Sequence, residues 1–86
     1  MQEGSVTLDN RSGMHARVVS EFISFVNRYK CSVSFVKKDQ IANAKSILNV
    51  LTMGINSGET VIVRTDGIDE DRALREVIEY IKNIKE

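Results

Sequence analysis

Residues 31–43, "CSVSFVKKDQIAN", decide the fold. Apolar and polar side chains alternate at the start of this stretch, so that Cys31, Val33 and Phe35 lie on one face of a strand. The polar run "KKDQ" predicts a hairpin connection, and "IAN" predicts a short returning strand. Alternation of this one-sided kind favours an antiparallel sheet with one covered face. It argues against a doubly wound parallel sheet, whose strands are apolar on both faces.

Two further strands show the same alternation. In residues 4–8, "GSVTL", the side chains of Val6 and Leu8 share a face, and residues 60–65, "TVIVRT", repeat the pattern. The pair Lys37–Lys38 is assigned to the solvated tip of the hairpin between the second and third strands. The sequence therefore predicts four strands, and the first, second and fourth of them have one apolar face.

Three segments between and after these strands have helical periodicity. From Ala16 the apolar residues recur every three or four positions, which predicts an amphipathic helix to about Lys30. Ser46 and Gly54 predict the N-cap and the end of a two-turn helix. Residues 66–86 predict a third helix with an acidic start and an apolar stripe. The acidic residues are Asp69, Glu70 and Asp71, and the stripe is Leu74, Val77, Ile78 and Ile81. The order β-α-β-β-α-β-α predicts an α+β open-faced sandwich, with the helices on one face of the sheet.

Composition limits the function. The 86 residues predict a single domain over 1–86, and the 12 basic and 12 acidic side chains cancel. A balanced charge excludes a general binder of nucleic acid, which needs a basic excess. No apolar run is long enough to cross a bilayer, and the single cysteine fits a reducing compartment. We therefore expect a cytoplasmic protein that neither binds nucleic acid directly nor inserts into a membrane.

The one histidine of the chain, His15, stands at the predicted start of the first helix. Unpaired N–H groups and the helix dipole favour negative charge at such a position. An anion on the imidazole would meet the N–H groups of Ala16 and Arg17 and the Arg17 guanidinium. The dipole also disfavours the imidazolium, which leaves a ring nitrogen as a nucleophile. Gly13 allows a sharp turn into the helix. The pattern alone leaves open an ordinary exposed histidine at a helix start.

Two motifs at their observed separation resemble the HPr family, the histidine-containing phosphocarriers of the bacterial sugar phosphotransferase system. They are "SGMHAR", residues 12–17, and "NAKSILNVLTMGI", residues 43–55, and the similarity extends over essentially the whole chain. The resemblance implies an open-faced β-sandwich with a four-stranded antiparallel sheet of order 1-4-2-3 and three helices. It also implies a relay in which enzyme I, charged by phosphoenolpyruvate, phosphorylates Nδ1 of His15. The phosphoryl group then passes to the IIA domain of a sugar permease.

The same resemblance suggests a role for each site residue. Ser12, Ala16 and Arg17 are expected to stabilise the phosphoryl group. Ser46 matches the serine that HPr kinase/phosphorylase modifies in Gram-positive relatives, and a catabolite-control transcription factor is a further expected partner. The expected docking surface for partners is Ile47, Leu48 and Leu51.

Three positions depart from the family pattern. Val18 stands where proline is usual, Asn49 where glycine is frequent, and Leu48 where methionine is common. Loss of the proline costs about 0.4–1 kcal/mol of preorganisation, which alters rates without abolishing phosphoryl acceptance. Val18 and Asn49 leave a second interpretation open, a regulatory paralogue that acts through Ser46 and protein binding rather than in sugar transport.

No cofactor or metal site is predicted. One histidine and one isolated cysteine do not make a metal centre, and Cys31 is interpreted as a small core residue. Without a glycine-rich phosphate-binding loop the protein is expected to be a substrate of kinases and not an enzyme. We expect it to be a monomer.

Overall fold

The structure is a computed structural model that describes residues 1–85. Its four strands and three helices follow the predicted order. They are β1 (Gln2–Thr7), α1 (Ala16–Val26), β2 (Ser32–Lys37), β3 (Gln40–Asn43), α2 (Ile47–Met53), β4 (Thr60–Asp66) and α3 (Glu70–Lys82). None of these helices combines the length and the apolar character needed to span a membrane.

The four strands form one antiparallel sheet in the order β1-β4-β2-β3. In the register, Gln2 of β1 faces Thr65 of β4, and Val36 of β2 faces Ile41 of β3. The long central strand β4 thus joins the N-terminal strand to the β2–β3 hairpin. This topology confirms the predicted open-faced sandwich.

The core lies between the helices and one face of the sheet. Val6, Val33 and Val61 point into it, whereas neighbours on the same strands, such as Ser5 and Ser32, are exposed on the other face. The rings of Phe22 in α1 and Phe35 in β2 stack at the centre, with their centroids 5.4 Å apart. The alternation of the sequence therefore identified the covered face correctly.

Helix α1 ends earlier than predicted, at Val26 instead of about Lys30. The Asn27 side chain turns back and donates its Nδ2 hydrogen to the Ile23 carbonyl at 2.8 Å. Tyr29 then enters the core with 2% of its surface exposed, and its hydroxyl contacts Glu76 of α3. The periodicity continued past Val26 because Tyr29 is a core residue, although it is no longer helical.

The acidic start of α3 is confirmed, because Asp69 is its N-cap residue and Glu70 and Asp71 lie in its first turn, but Asp69 also has another role. The Asp69 carboxylate makes no capping hydrogen bond and accepts instead from the backbone N–H groups of Lys30 at 2.9 Å and Cys31 at 2.8 Å. These bonds, the one from Lys30 first, lower the pKa of Asp69 to about 2. Asp69 therefore fastens the start of α3 to the connection between α1 and β2.

The predicted apolar stripe of α3 faces the sheet. Val77 and Ile81 are buried, Leu74 and Ile78 are half-buried, and Ala73 is a further buried residue that the stripe did not include. Helix α3 packs directly over β1. This is shown by Gly4, where an added Cβ atom would come within 2.8 Å of Ile78 Cδ1.

Candidate functional site

His15 is the N-cap residue of α1, as predicted. Its backbone is extended, with φ −88° and ψ 175°, and its carbonyl accepts the first helical hydrogen bond from Val19 N at 2.9 Å. The imidazole is half-buried and makes no capping hydrogen bond to the helix. The ring therefore lies at the positive end of α1 without being used to complete it.

Residues 10–15, which we call the His15 turn, present this ring. The Asn10 side chain donates to the Gly13 carbonyl at 2.9 Å, which closes the turn. Met14 is 4% exposed, and its N–H donates to the Ile55 carbonyl at 2.9 Å. His15 thus follows directly after a residue that is fixed on both its backbone and its side chain.

Gly13 is required by two independent features. Its φ of +66° lies in the left-handed region, where a Cβ atom is unfavourable. A Cβ atom there would also lie 2.6 Å from the Ile55 oxygen and 2.8 Å from the Ser57 nitrogen. These atoms belong to residues 54–59, which we call the supporting loop. The prediction that Gly13 permits a sharp turn holds, and the structure adds that the turn is packed against backbone.

Ser12, Ala16 and Arg17, the predicted phosphate-stabilising residues, surround His15 along the chain and are all exposed. Ala16 and Arg17 are the first two residues of α1, where backbone N–H groups lack an intrahelical acceptor. Val18 follows as the third residue and is buried, with 4% of its surface exposed. Within two residues of His15 the helix start thus offers one charged side chain and two backbone donors.

Helix α2 is capped at both ends as the sequence predicted. The Ser46 hydroxyl accepts from the Asn49 N–H at 3.2 Å. Gly54, with φ of +67°, ends the helix, and its N–H donates to the Val50 carbonyl. These two caps hold a helix of only 7 residues in place.

Three apolar side chains of α2 point away from the core, namely Ile47 at 46% exposure, Leu48 at 72% and Leu51 at 37%. We call them the α2 surface. Val50 lies on the opposite face of the same helix and is completely buried. Exposed large apolar residues that are close together mark sites of protein contact, so the predicted docking residues share an accessible face.

Comparison with known proteins decides the family. The family model of the PTS HPr component phosphorylation site matches residues 2–83. The chain belongs to the HPr family. Phosphocarrier protein HPr of Xylella fastidiosa is 30% identical over 96% of this chain and 93% of its own. The HPr-like protein Crh of Halalkalibacterium halodurans is 32% identical over 95% of this chain and 98% of its own.

Solved structures agree with this assignment. The crystal structure of HPr from Bacillus anthracis matches with a TM-score of 0.87 at 26% identity, over 92% of this chain and 94% of that one. HPr proteins are phosphocarriers of the phosphotransferase system and not enzymes. Since an HPr and a Crh protein are similar to this chain to nearly the same extent, membership of the family is clear, whereas the individual role is not set by identity.

Two grooves of this HPr-family fold do not include His15. One of about 520 Å³ lies between α1 and α3 and is lined by Val18, Phe25 and Tyr80. The other, of about 430 Å³, lies between α2 and β3 and includes Leu48 and Asn49. His15 lies outside both grooves and is half-buried.

Cys31 is a core residue, as predicted. It is 2% exposed, and burial raises the pKa of its thiol to about 11. Among residues 1–85 no three histidine, cysteine or acidic side chains are arranged to hold a metal ion.

The assignment of Lys37 to a solvated hairpin tip was wrong. Its side chain is only 17% exposed, and Nζ lies 3.2 Å from Glu59 Oε1 and 3.3 Å from the Gly54 oxygen. Of the two lysines only Lys38 lies at the exposed tip, beside Asp39, with φ of +57°. A signal was present in the sequence, because alternation places Lys37 on the same face as Val33 and Phe35. Glu59 had no comparable local signal.

Proposed function

We propose that this HPr-family protein is a cytoplasmic, monomeric phosphocarrier. It accepts a phosphoryl group on His15 from enzyme I and passes the group to the IIA domain of a sugar permease. One observation supports this most: the half-buried imidazole stands at the N-cap of α1, two residues before Arg17. Ser12 would contribute its hydroxyl from the same turn.

The chemistry is a pair of displacements at phosphorus. A nitrogen lone pair of His15 attacks the phosphorus of phosphorylated enzyme I, and a P–N bond forms while the bond to the donor breaks. The electron pair of that bond leaves with the donor. In the second step a nucleophile of the IIA domain attacks, and the imidazole leaves with its own electron pair.

The start of α1 would stabilise the phosphorylated state. Negative charge on the phosphoryl oxygens is favoured by the helix dipole and by the N–H groups of Ala16 and Arg17. The Arg17 guanidinium can add two parallel donors. A carrier must hold the group without trapping it, and an exposed arginine, screened by water, gives moderate stabilisation of this kind.

Docking by the α2 surface would bring enzyme I or a IIA domain to His15. Its apolar side chains lose contact with water when a partner covers them, which supplies binding energy that does not depend on the phosphoryl group. Both partners can therefore use the same surface in turn.

A second candidate is a regulatory role through Ser46, in which HPr kinase/phosphorylase modifies the hydroxyl and a catabolite-control transcription factor binds the product. Ser46 is half-buried and immediately precedes Ile47 of the α2 surface, so a phosphate there would alter that surface. The similarity to a Crh protein also favours this candidate.

Incubation with phosphoenolpyruvate and enzyme I tests the carrier function. We expect intact-mass measurement to show one added phosphoryl group that is lost in acid, and His15→Ala to take up none. Arg17→Ala is expected to slow the reaction, whereas Arg11→Ala, an exposed arginine of the same turn, serves as the matched control. Equal labelling of wild type and His15→Ala, or no labelling of the wild type by several enzyme I preparations, would contradict the carrier function.

The regulatory candidate needs a separate assay with the serine kinase and ATP. It gains support if Ser46 is labelled while His15 is not labelled by enzyme I. If His15 is labelled and the IIA domain then receives the group, the carrier function stands.

A further inference from the structure

Lys37 is a cation on the covered face of the sheet. It ends β2 in the same alternation as Val33 and Phe35, yet its Nζ is directed at Glu59 and at the Gly54 carbonyl. The side chain of Lys37 is 17% exposed and that of Glu59 37%, so the lysine is the more buried partner of the pair. A half-buried charge in such a place needs its partner, because removing that partner leaves an uncompensated charge.

Glu59 joins this lysine to the supporting loop. Its Oε1 accepts the Asn56 N–H at 2.7 Å, which closes the loop on itself. That bond first, and the Lys37 ammonium second, lower the pKa of Glu59. The backbone of Glu59 also accepts the Leu8 N–H at 3.0 Å, at the end of β1. One residue therefore fixes the loop from its side chain and from its main chain.

The supporting loop is in turn the surface against which the His15 turn is packed. The Ile55 carbonyl accepts the Met14 N–H at 2.9 Å, and Gly13 leaves no space between the two backbones. The Gly58 N–H donates to the Leu8 carbonyl at 2.7 Å, which anchors the entry to the turn. Any shift of the loop must move Met14, and His15 is the next residue.

We propose that Lys37 and Glu59 are positioning residues for the phosphoryl acceptor, because together they hold the supporting loop that fixes the His15 turn. This inference rests on the proposed carrier function. Phosphoryl transfer needs the attacking nitrogen in line with the bond that breaks, and displacement by about 1 Å can cost roughly a hundredfold in rate. The pair would act on His15 through backbone, without touching the phosphoryl group.

A second ion pair of the molecule provides the matched control. Arg64 Nε lies 2.6 Å from Glu3 Oε2, across the β1–β4 register, and both residues share the open face of the sheet with Ser5. This pair also joins two elements, but it has no contact with the supporting loop. If the loss of any ion pair acted only by lowering overall stability, substitutions in the two pairs would have equal effects.

The experiment compares Glu59→Gln and Lys37→Met with Glu3→Gln. Hydrogen exchange of the Met14 and Gly58 N–H groups reports on the turn, and transfer from enzyme I reports on His15. In Glu59→Gln and Lys37→Met we expect exchange of Met14 to rise at least about fivefold more than exchange of the core amide of Val63. We expect kcat for His15 phosphorylation to fall about tenfold with KM for enzyme I unchanged, since docking is untouched. Lys37→Arg should restore most of the rate, and Glu3→Gln should leave both measurements near wild type.

Two results would overturn the proposal. One is exchange at Met14 that rises only in step with Val63, which would make the pair a general contribution to stability. The other is a kcat in Glu59→Gln and Lys37→Met equal to that of Glu3→Gln. Failure of the carrier function has a different signature, because wild type itself would then remain unlabelled, while exchange at Met14 would still decide whether the pair holds the turn.

Discussion

In the proposed carrier the His15 turn and the α2 surface serve the same reaction, but they are built in opposite ways. The turn is fixed by backbone, with Gly13 pressed against the supporting loop and Met14 bonded to it. The α2 surface consists of side chains on a short capped helix, and Leu48 is its most exposed member. The chemical step depends on geometry that few substitutions preserve. Partner recognition depends on side chains that can change without disturbing the fold.

The largest expected effect is that of Gly13→Ala in the turn. A left-handed backbone costs a non-glycine residue about 1–2 kcal/mol, and the Ile55 carbonyl cannot retreat without breaking its bond to Met14. We expect a loss of about 3 kcal/mol or more in the free energy of unfolding, measured by chemical denaturation.

Gly58→Ala is the matched control for this substitution. Gly58 also has a positive φ, +87°, but a Cβ atom there meets nothing within 4 Å. Its cost should be near 1 kcal/mol, from the backbone conformation alone. Equal losses in the two variants would mean that the supporting loop yields, and that the turn is less rigid than its contacts indicate.

One substitution on the buried face of α2 and one on its exposed face can be compared. Val50→Ala removes two buried methyl groups and should lower stability by about 2 kcal/mol, with KM for enzyme I near wild type. Leu48→Ala should leave stability within about 0.5 kcal/mol and raise KM roughly tenfold. Thermal denaturation and transfer kinetics on both variants test this, and the division between docking and core fails if Leu48→Ala changes neither measurement.

The effects expected for Ser46 are intermediate in size. Ser46 both caps α2 and is a candidate modification site. Ser46→Ala should cost about 1 kcal/mol of stability and leave transfer to His15 intact. Ser46→Asp keeps a capping oxygen and adds a charge that the start of the helix tolerates, so its melting temperature should stay near wild type.

The same aspartate places a charge next to Ile47, which enzyme I would have to desolvate. Phosphorylation of His15 should therefore slow in part, because aspartate carries less charge than phosphate. A marked loss of stability with undisturbed transfer would show that Ser46 is only a cap, and the regulatory candidate would then be withdrawn.

The smallest effect is expected for Val18→Pro, which restores the usual family residue. Val18 is the third residue of α1, where the N–H has no intrahelical acceptor, so the ring of proline removes no helical bond. Transfer rates should change by no more than about tenfold, which corresponds to ~1.4 kcal/mol. If the substitution converts an inert protein into an active one, the natural chain is not a working carrier.

The sequence predicted correctly those features that depend on residues close together in the chain. Alternation identified the covered faces of β1, β2 and β4, although it did not do so for β3, where Ala42 is buried and Ile41 exposed. Ser46 and Gly54 marked the caps of α2 because capping involves residues close in the chain. The helix start at His15 was predicted for the same reason.

Contacts between distant segments were missed. Asp69 bonds to amides 38 and 39 residues away, and Glu59 to a lysine 22 residues away, so neither partner follows from neighbouring residues. The roles of Ser12, Arg17 and the α2 surface remain predictions that rest on exposure and on the family pattern.

The strand order determines when the His15 turn can fold during synthesis of the chain. The β2–β3 hairpin pairs residues close in the chain, but β1 pairs only with β4, so that Gln2 meets Thr65. The His15 turn, although it emerges early from the ribosome, has no surface to pack against until the supporting loop and β4 have followed. Closure of such a long loop is slow compared with local pairing. If His15 is the proposed acceptor, a nascent chain should therefore become competent for phosphorylation only when β4 is in place.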